Sequence, residues 1–235
     1  MTEFSLDSFG SNSKAIIIGA SGGIGSAFVN HLKSSENVIA VHEFSRSQNG
    51  FDLTDEQSIK SAADTIANND IDLIIIATGY LGNSPEKSLK DISTDKFNQV
   101  FTVNTFGPAL VMKHFASKLT RNRKSVMASI SARVGSISDN HLGGWYAYRA
   151  SKSALNMIIK TTSIEIARTH KQSAIIGLHP GTVDTSLSKP FQDHVPNDKL
   201  FTPEYSTACM LRTLNQIDAT NTGEIFAYNG QKIDY

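Results

Sequence analysis

The sequence predicts an α/β fold in which a doubly wound parallel sheet of about seven strands is flanked by helices. Two observations carry this prediction. Short apolar runs rich in β-branched residues alternate with longer amphipathic segments along the whole chain. The run IDLIIIATG at residues 71–79 is apolar almost without interruption, which is typical of a parallel strand covered on both faces.

The individual elements follow from the same patterns, taken in chain order. Short apolar runs predict strands at 14–20, 37–45, 71–79, 125–130, 173–179 and 224–228. Apolar residues at helical spacing predict helices at 24–35, 55–68, 94–120, 146–169 and 203–214. Gly107 and Pro108 interrupt the third of these helices and predict either a kink or a boundary between two helices.

The domain organisation is predicted to be simple. A chain of 235 residues, 40% of them apolar, is of a size to form one α/β domain. No internal repeat, low-complexity tract or linker divides it, so we predict one domain over residues 13–235. Residues 1–12 are expected to form a flexible N-terminal tail. Residues 186–202 are polar, contain prolines and are too long for a simple connection, which favours a lid over a substrate site.

The composition argues against several classes of partner. The 22 basic residues balance the 22 acidic ones, so no overall charge attracts nucleic acid or an anionic membrane. The basic cluster at 121–124 lacks interleaved aromatic residues and is interpreted as a solvated helix end. The seven histidines show no pair with the helical spacing of a zinc site, so no metal is predicted.

The N-terminus and the cysteine content favour the cytoplasm. The first residues have neither a basic start nor a long apolar run, so no signal peptide or membrane span is expected. Cys209 is the one cysteine and is expected to be buried in a helix, which suits a reducing compartment.

A glycine-rich turn, GASGGIG, lies between the first strand and the first helix. Gly19, Gly23 and Gly25 permit a tight turn, close approach of a pyrophosphate to backbone amides, and a helix N-terminus directed at its charge. Such turns also occur only to reverse the chain. Its position between a strand and a helix favours the dinucleotide site of a Rossmann-type domain.

Tyr148 and Lys152 are four residues apart in the helix predicted at 146–169. This spacing places both side chains on one face of the helix. A neighbouring ammonium group lowers the pKa of a phenol from its ordinary value near ~10. We therefore expect Tyr148 to serve as a proton donor, although the same spacing also arises by chance on a helix surface.

Taken together, the motifs resemble the short-chain dehydrogenase/reductase family. They are the G-x-x-x-G-x-G turn, the Tyr148–Lys152 pair and the stretch HPGTVDT at 179–185, in that family's order. The stretch ARVGSISDNHLGGWYAYRASKSALN is similar to the carbonyl-reductase-like branch that includes C-factor proteins. The resemblance implies an oxidoreductase that transfers a hydride between NADP(H) and a small carbonyl or alcohol substrate.

The resemblance also implies the roles of individual residues. Tyr148 matches the general acid/base, and Lys152 matches the lysine that lowers its pKa and binds the nicotinamide ribose. Asn104 matches a helix asparagine that holds a water linked to the lysine. The alternative is that Asn104 satisfies a helix kink near Gly107.

The catalytic serine departs from the family pattern. The usual serine-x-x-glycine spacing before Gly135 falls on Ala132. We assign the role to Ser131, with Ser129 as the second choice, and expect a local bulge or one-residue shift to place the hydroxyl correctly.

The cofactor-binding residues that the resemblance implies are distributed along the chain. They are Gly19, Ser21, Gly23, Ile24, Gly25, Arg46, Asp52, Leu53, Ala77, Gly79, Tyr148, Lys152, Pro180, Gly181, Val183 and Thr185. Ala77 and Gly79 stand where the family usually has the sequence NNAG. Asp52 matches an adenine-contacting aspartate, or else competes with Thr54 and Asp55 to cap the next helix.

NADP(H) is favoured over NAD(H) as the cofactor. Arg46 follows the second strand, where NADP-specific relatives place a basic residue against the 2′-phosphate. Glu43 is expected to point elsewhere. Near the substrate, Trp145, Phe191 and Leu200 are candidates for an apolar pocket or for ordinary core.

Two classes of function remain open at this point. The first is a cytoplasmic NADP(H)-dependent oxidoreductase. The second is a dinucleotide-binding signalling or regulatory protein, similar to C-factor, with little or no turnover. For either class the resemblance implies a homodimer or homotetramer.

Overall fold

A seven-stranded sheet lies at the centre of the molecule. The computed structural model describes residues 4–235, so residues 1–3 of the expected tail lie outside the described residues. The strands are β1 (Ser13–Ile18), β2 (Val38–Phe44), β3 (Leu73–Ile76), β4 (Ser125–Ile130), β5 (Ser173–His179), β6 (Thr182–Val183), β7 (Leu200–Phe201), β8 (Ile225–Ala227) and β9 (Lys232–Ile233). The strand order in the sheet is β2-β1-β3-β4-β5-β8-β9, and β6 pairs with β7 outside it. All neighbours in the sheet are parallel except β8 and β9. The predicted doubly wound fold is confirmed.

Helices cover both faces of the sheet. They are α1 (Gly23–Lys33), α2 (Arg46–Asn49), α3 (Glu56–Asp64), α4 (Thr94–Phe101), α5 (Gly107–Phe115), α6 (Tyr146–Ile166) and α7 (Pro203–Gln216). One core contains Phe28 of α1 and Met210 of α7, and the other contains Ile59 of α3, Val111 of α5 and Leu155 of α6. Buried apolar residues on α1 and α7 therefore face the opposite side of the sheet from those on α3, α5 and α6.

The strand β1 shows why the chain forms this sheet. Ala15 and Ile17 belong to the core beneath α1, whereas Ile16 and Ile18 belong to the core beneath α3. All four side chains are buried. Because burial of each isoleucine contributes roughly 1.5–3 kcal/mol, a strand with four consecutive apolar residues is most stable between two helical layers.

The strand order reverses between β1 and β3. The chain runs outward from β1 to β2, crosses back to β3, and then proceeds through β4 and β5 in the other direction. In open α/β sheets, ligands bind in the crevice at the carboxyl ends of the strands beside such a reversal.

The expectation of a flexible tail up to residue 12 is wrong for residues 6–9. Leu6 and Phe9 are 1% and 3% exposed and belong to the same core as α7. A short 3₁₀ turn at Asp7–Phe9 joins them, and the Lys124 ammonium donates a 2.7 Å hydrogen bond to the Ser8 hydroxyl. Two apolar side chains three residues apart are enough to fix this short polar segment.

The helix predicted at 94–120 is divided, as Gly107 and Pro108 indicated. A π-helical turn at Thr102–Phe106 separates α4 from α5. Such a turn widens the helix locally and occurs frequently at functional sites. A 3₁₀ turn at Ala116–Lys118 then follows α5.

Two other observations concern the chain as a whole. Across residues 4–235, no helix combines the length and the apolar character that a bilayer crossing requires. Cys209 is buried, as its predicted position in a helix indicated.

Candidate active site

A cavity of about 580 Å³ opens at the carboxyl ends of the central strands. Its wall contains residues that follow or end β1, β3, β4 and β5, which is the crevice that the strand order indicated. Among the predicted site residues, those in the wall are Gly23, Ile24, Ala77, Gly79, Ser131, Tyr148, Lys152, Pro180, Gly181, Val183 and Thr185. The cavity therefore brings together both the predicted catalytic pair and the glycine-rich turn.

The glycine-rich turn fits a pyrophosphate. Gly19 has a φ of 86°, and a Cβ atom there would lie 2.8 Å from the Ala77 carbonyl oxygen. A Cβ atom on Gly25 would collide with the Gly19 carbonyl group. The turn directs the start of α1 into the cavity wall at Gly23 and Ile24, without a side-chain cap. The free N–H groups of this first turn are suited to an anion.

A second feature of the cavity also favours a polar ligand. The Thr78 hydroxyl is buried in the wall next to Gly79 and makes no hydrogen bond within residues 4–235. A buried hydroxyl without a partner is costly. The cavity wall therefore fits a dinucleotide at both the α1 turn and the end of β3.

Tyr148 and Lys152 lie on α6 and are both buried, at 8% and 1% exposure. The Lys152 ammonium donates a 2.8 Å hydrogen bond to the Ile130 carbonyl and lies 5.9 Å from the centre of the Tyr148 ring. Gly135 permits this packing, since a Cβ atom there would lie 2.8 Å from the Lys152 Cβ.

Burial, and not the lysine, dominates the protonation of this pair. It raises the pKa of Tyr148 to about 12 and lowers the pKa of Lys152 to about 7. Burial therefore shifts the pKa of Tyr148 in the opposite direction to the lowering expected from Lys152. Spacing on a helix places the two groups on one face, but it carries no information about their separation from water.

Of the two candidate catalytic serines, Ser131 is the one that lies in the cavity wall. It lies in the wall, immediately after β4, and its N–H donates to the Leu178 carbonyl at 2.8 Å. Its hydroxyl donates a 2.6 Å hydrogen bond to Oδ1 of Asn156. Ser129 lies inside β4, and its buried hydroxyl has no partner within the described chain. The geometry thus favours Ser131 over Ser129, with no bulge in β4.

Asn104 lies in the π-helical turn and contacts two other segments of the chain. Its side chain accepts from the Tyr80 N–H and donates to the Tyr80 carbonyl, both at 2.8 Å, and donates to the Ser151 hydroxyl at 3.0 Å. Ser151 in turn donates to the Tyr148 carbonyl at 2.8 Å. Asn104 therefore ties the loop after β3 to the helix that carries Tyr148.

The turn after β5 forms the opposite wall. Gly181 has a φ of 77°, and a Cβ atom there would lie 2.7 Å from the Phe201 ring. The Ser206 hydroxyl fixes this turn with a 2.6 Å hydrogen bond to the Pro180 carbonyl. His179 also lies in the wall, with an enclosed Nδ1 that has no partner within residues 4–235. Burial lowers the pKa of His179 to about 4, so the ring is neutral.

The predicted adenosine-binding residues lie outside the cavity wall. Arg46 is exposed at the start of α2, directly after β2. Glu43 forms a 2.5 Å ion pair with Lys33, so it does point elsewhere. The remaining predicted residues outside the wall are Gly19, Ser21, Gly25, Asp52, Leu53 and Asn104.

Asp52 and Leu53 have structural contacts of their own. The Asp52 carboxylate accepts hydrogen bonds from the N–H and hydroxyl of Thr54, both at 2.8 Å, which lower its pKa. The cap of α3 is Asp55, whose carboxylate accepts from the Gln57 N–H. Leu53 packs against Gly107 at the start of α5.

The remaining wall is apolar with basic residues at its edge. Trp145 packs against Phe191 with ring centres 5.0 Å apart, and its ring centre is 6.2 Å from that of Tyr148. Leu142 and Leu187 also contribute apolar side chains, whereas Leu200 lies in β7 and not in the wall. Arg133 and Arg149 also lie in the wall.

Sequence reasoning did not identify several residues of the site. These are Thr78, Arg133, Leu142, Arg149, Asn156, His179 and Leu187. Asn156 had a signal, because it lies four residues after Lys152 and eight after Tyr148, on the same helix face. Arg149 lies on α6, and the others lie at strand ends, in turns or in loops, where spacing does not indicate which side chains face a cavity.

Known proteins are similar to this chain in sequence and in fold. The profile of the short chain dehydrogenase family matches residues 13–196. An uncharacterized oxidoreductase of Schizosaccharomyces pombe is 26% identical, over 95% of this chain and 98% of its own length. The C-signal protein of Myxococcus xanthus is 27% identical, over 75% of this chain and 100% of its own length.

Solved structures agree with the family match at the level of the fold. The NADPH-bound carbonyl reductase from chicken fatty liver has a TM-score of 0.78 and 23% identity, over 96% of this chain and 95% of that one. The carbonyl reductase Sniffer of D. melanogaster has a TM-score of 0.79 and 18% identity, over 96% of this chain and 100% of that one. At such identities the likeness shows a common fold.

Proposed function

The chain belongs to the short-chain dehydrogenase family, and we propose that it is an NADP(H)-dependent oxidoreductase acting on a small carbonyl or alcohol substrate. One observation carries this proposal. A single cavity collects Tyr148, Lys152 and Ser131 next to the uncapped start of α1. These are a proton donor, a cation, a hydroxyl and an anion site, the groups that carbonyl reduction by a dinucleotide requires.

The choice of NADP(H) rests on the end of β2. Arg46 is exposed there, and no ion pair within residues 4–235 involves its guanidinium. Glu43 is paired with Lys33 and points away. A guanidinium recognises a phosphate through paired N–H donors, which favours a 2′-phosphate over a free ribose hydroxyl. Solved structures of the same fold include a carbonyl reductase with NADPH bound, which supports the same choice.

When bound, the nicotinamide supplies a hydride to the carbonyl carbon of the substrate. The protein's own groups act on the carbonyl oxygen. The Tyr148 hydroxyl donates a proton to that oxygen, and the Ser131 hydroxyl donates a hydrogen bond that polarises it. Lys152 would hold the ribose, and its amine, which lies 5.9 Å from the centre of the Tyr148 ring, places a positive charge near the phenol when it is protonated. Asn104 keeps α6 in place through Ser151.

The substrate class follows from the rest of the wall. Trp145, Phe191, Leu142 and Leu187 offer apolar surface, and residues 186–202 are proposed as the lid over it. These side chains favour an aldehyde, ketone or quinone with an aliphatic or aromatic body.

Incubation of the purified protein with NADPH and a panel of aldehydes, ketones and quinones tests the proposal. Consumption of NADPH that depends on the carbonyl compound is expected, and Tyr148→Phe is expected to reduce it by about 10²–10⁴-fold. Tyr146→Phe is the matched control, because Tyr146 lies on the same helix and outside the cavity wall. No turnover with any carbonyl, or equal loss in both variants, contradicts the proposal.

A second candidate function is a dinucleotide-binding signalling protein with little or no turnover. Similarity to C-signal over the full length of that protein supports it. A serine displaced from the family register would also fit a protein without turnover. Ser131 lies in the cavity wall, so its displacement does not support this candidate. Calorimetry that shows tight NADPH binding by a protein without turnover selects this candidate.

Assembly and compartment complete the proposal. We expect a cytoplasmic homodimer or homotetramer. Phe106, Met157 and Ile164 are large apolar side chains that are more than half exposed on the π-helical turn and α6, which suits burial against a second copy. Light scattering of the purified protein tests the oligomeric state.

A further inference from the structure

Asn156 continues the catalytic face of α6. Tyr148, Lys152 and Asn156 are spaced by four residues and form one buried stripe along the helix. Asn156 is 3% exposed. A buried amide is costly unless its oxygen and nitrogen are used, so the contacts of Asn156 indicate its role.

The strong contact of Asn156 is with Ser131. Oδ1 of Asn156 accepts the Ser131 hydroxyl at 2.6 Å, whereas its Nδ2 lies 3.5 Å from the Gly135 carbonyl oxygen. The first distance is that of a good hydrogen bond and the second is at the limit. The amide is therefore held mainly through Ser131.

This contact determines what Ser131 presents to the cavity. While its proton points to Asn156, the hydroxyl offers only lone pairs to a ligand. Polarisation of a carbonyl oxygen requires the proton instead. If the Asn156 amide turns over, Nδ2 donates to the Ser131 oxygen and the serine proton becomes available to the substrate.

We propose that Asn156 is the positioning residue for Ser131, and that the orientation of its amide determines whether the serine offers a proton or a lone pair to the substrate. This inference rests on the proposed function. It also explains how a serine outside the usual register can act, because the side chain is held from α6. The backbone of Ser131 is fixed independently by its bond to Leu178.

A double-mutant cycle tests the inference. Ser131→Ala is expected to lower kcat by roughly 10²-fold, as for loss of one donor to an oxyanion. Asn156→Leu is expected to lower kcat about tenfold, because the serine remains but its hydroxyl is no longer held. In the Ser131→Ala background, Asn156→Leu should cause no further loss, since residues that act as one unit are not additive.

A second variant tests the amide specifically. In Asn156→Asp the carboxylate can only accept, so it keeps the serine proton away from the substrate. Its loss of kcat should exceed that of Asn156→Leu. If Asn156→Asp also lowers kcat in the Ser131→Ala background, that loss reflects the effect of the new charge on Lys152. It is subtracted from the loss of kcat in the single Asn156→Asp variant.

The controls separate positioning from damage to the fold. Ser153 lies on the same helix as Asn156, and its hydroxyl donates a 2.7 Å hydrogen bond to the Gly135 carbonyl. Ser153→Ala removes this hydroxyl and should leave kcat unchanged. The Kd for NADPH and the thermal midpoint should stay close to those of the parent in every variant used. If Asn156→Leu fails to fold, Asn156→Asp replaces it in the test, because it preserves the side-chain volume.

The outcomes distinguish the inference from the proposed function. An active parent whose Asn156 and Ser131 losses multiply in the double variant overturns the inference and leaves the proposed function intact. An Asn156→Leu variant whose kcat equals that of the parent also overturns the inference and leaves the proposed function intact. A parent without carbonyl turnover overturns both.

Discussion

The Glu86 carboxylate accepts a hydrogen bond of 3.3 Å from the backbone N–H of Ala147, at the start of the helix that carries Tyr148 and Lys152. The Glu86 carbonyl also accepts the Trp145 N–H at 2.6 Å. Trp145 is the residue before α6, has a φ of 52° and provides no side-chain cap. Glu86 is only 2% exposed. The loop after β3 thus supplies the cap that α6 lacks in its own sequence.

Glu86→Ala is expected to destabilise the protein by ~1–2 kcal/mol, because it leaves an N–H group at the start of α6 without its acceptor. Glu86→Gln keeps an acceptor and loses only the charge at the helix N-terminus, so a loss of ~0.3–1 kcal/mol is expected. Denaturant unfolding measures both values.

Asp95→Ala is the control for this pair of variants. Asp95 also lies in the first turn of a helix, α4, but it is exposed. Its removal should change stability by less than ~0.5 kcal/mol. Equal stability of Glu86→Ala and the parent would show that the carboxylate does not cap α6.

Lys152 is expected to reduce the stability of the folded protein at neutral pH. Burial lowers its pKa from 10.5 to about 7, so between these values the unfolded chain binds more protons than the folded one. Stability therefore rises with pH across this window. The cost of charging the buried amine is fully present below pH ~7 and vanishes above ~10.5.

Lys152→Met should consequently raise the free energy of unfolding by ~2–3 kcal/mol at pH 7, after the lost hydrogen bond to Ile130 is allowed for. The gain should shrink towards pH 10, and carbonyl reduction should be lost. Unfolding at several pH values is the measurement. A gain that is independent of pH would contradict the lowered pKa.

Arg46→Gln is expected to weaken NADPH binding by about 10–100-fold and to leave NADH binding unchanged, because a charged hydrogen bond to phosphate contributes ~1.5–3 kcal/mol. Calorimetry with both cofactors measures the two Kd values. Arg168→Gln is the control, since Arg168 is also exposed and lies beyond the end of α6. Similar losses for NADPH and NADH would assign Arg46 to general phosphate binding.

The sequence predicts the fold and the shared helix face of Tyr148 and Lys152, because both depend on local periodicity. The proposed catalytic roles of these two residues come from the family resemblance. The apolar run at 71–79 and the spacing of Tyr148 and Lys152 are visible without coordinates. Protonation is different: the direction of both pKa shifts depends on how much water reaches each group, and helical spacing does not contain that information.

Contacts between distant segments account for most of the other differences between the sequence-based predictions and the structure. Leu6 and Phe9 look too sparse to form core, yet α7 supplies the surface they need. Spacing places Asn156 on the helix face of Tyr148 and Lys152, but its hydrogen bond to Ser131 joins residues 25 positions apart in sequence, and spacing does not predict it. The strand β9 is two residues long and depends on β8 for its pairing, so it has no pattern of its own.

The charge of the cavity wall predicts a preference among substrates. Among the described residues that line it, none carries a carboxylate, whereas Arg133, Arg149 and Lys152 are basic. The Arg149 Nε already donates to the carbonyls of Gly143 and Gly144. Arg133 is paired only at 3.5 Å with Asp139, and both side chains are 43% exposed, so this pair contributes little.

An anionic substituent on the substrate should therefore favour turnover through Arg133. We expect 4-carboxybenzaldehyde to have a kcat/KM about 3–10-fold above that of its neutral methyl ester, and the ratio to fall as salt is added. Arg133→Gln should bring the ratio close to one while the ester reacts as before, because the apolar wall at Trp145 and Phe191 is unchanged. Arg168→Gln should preserve the preference. If the parent protein reduces the ester with the same kcat/KM as the acid, Arg133 does not recognise the anionic group. The apolar wall alone then determines the substrate preference.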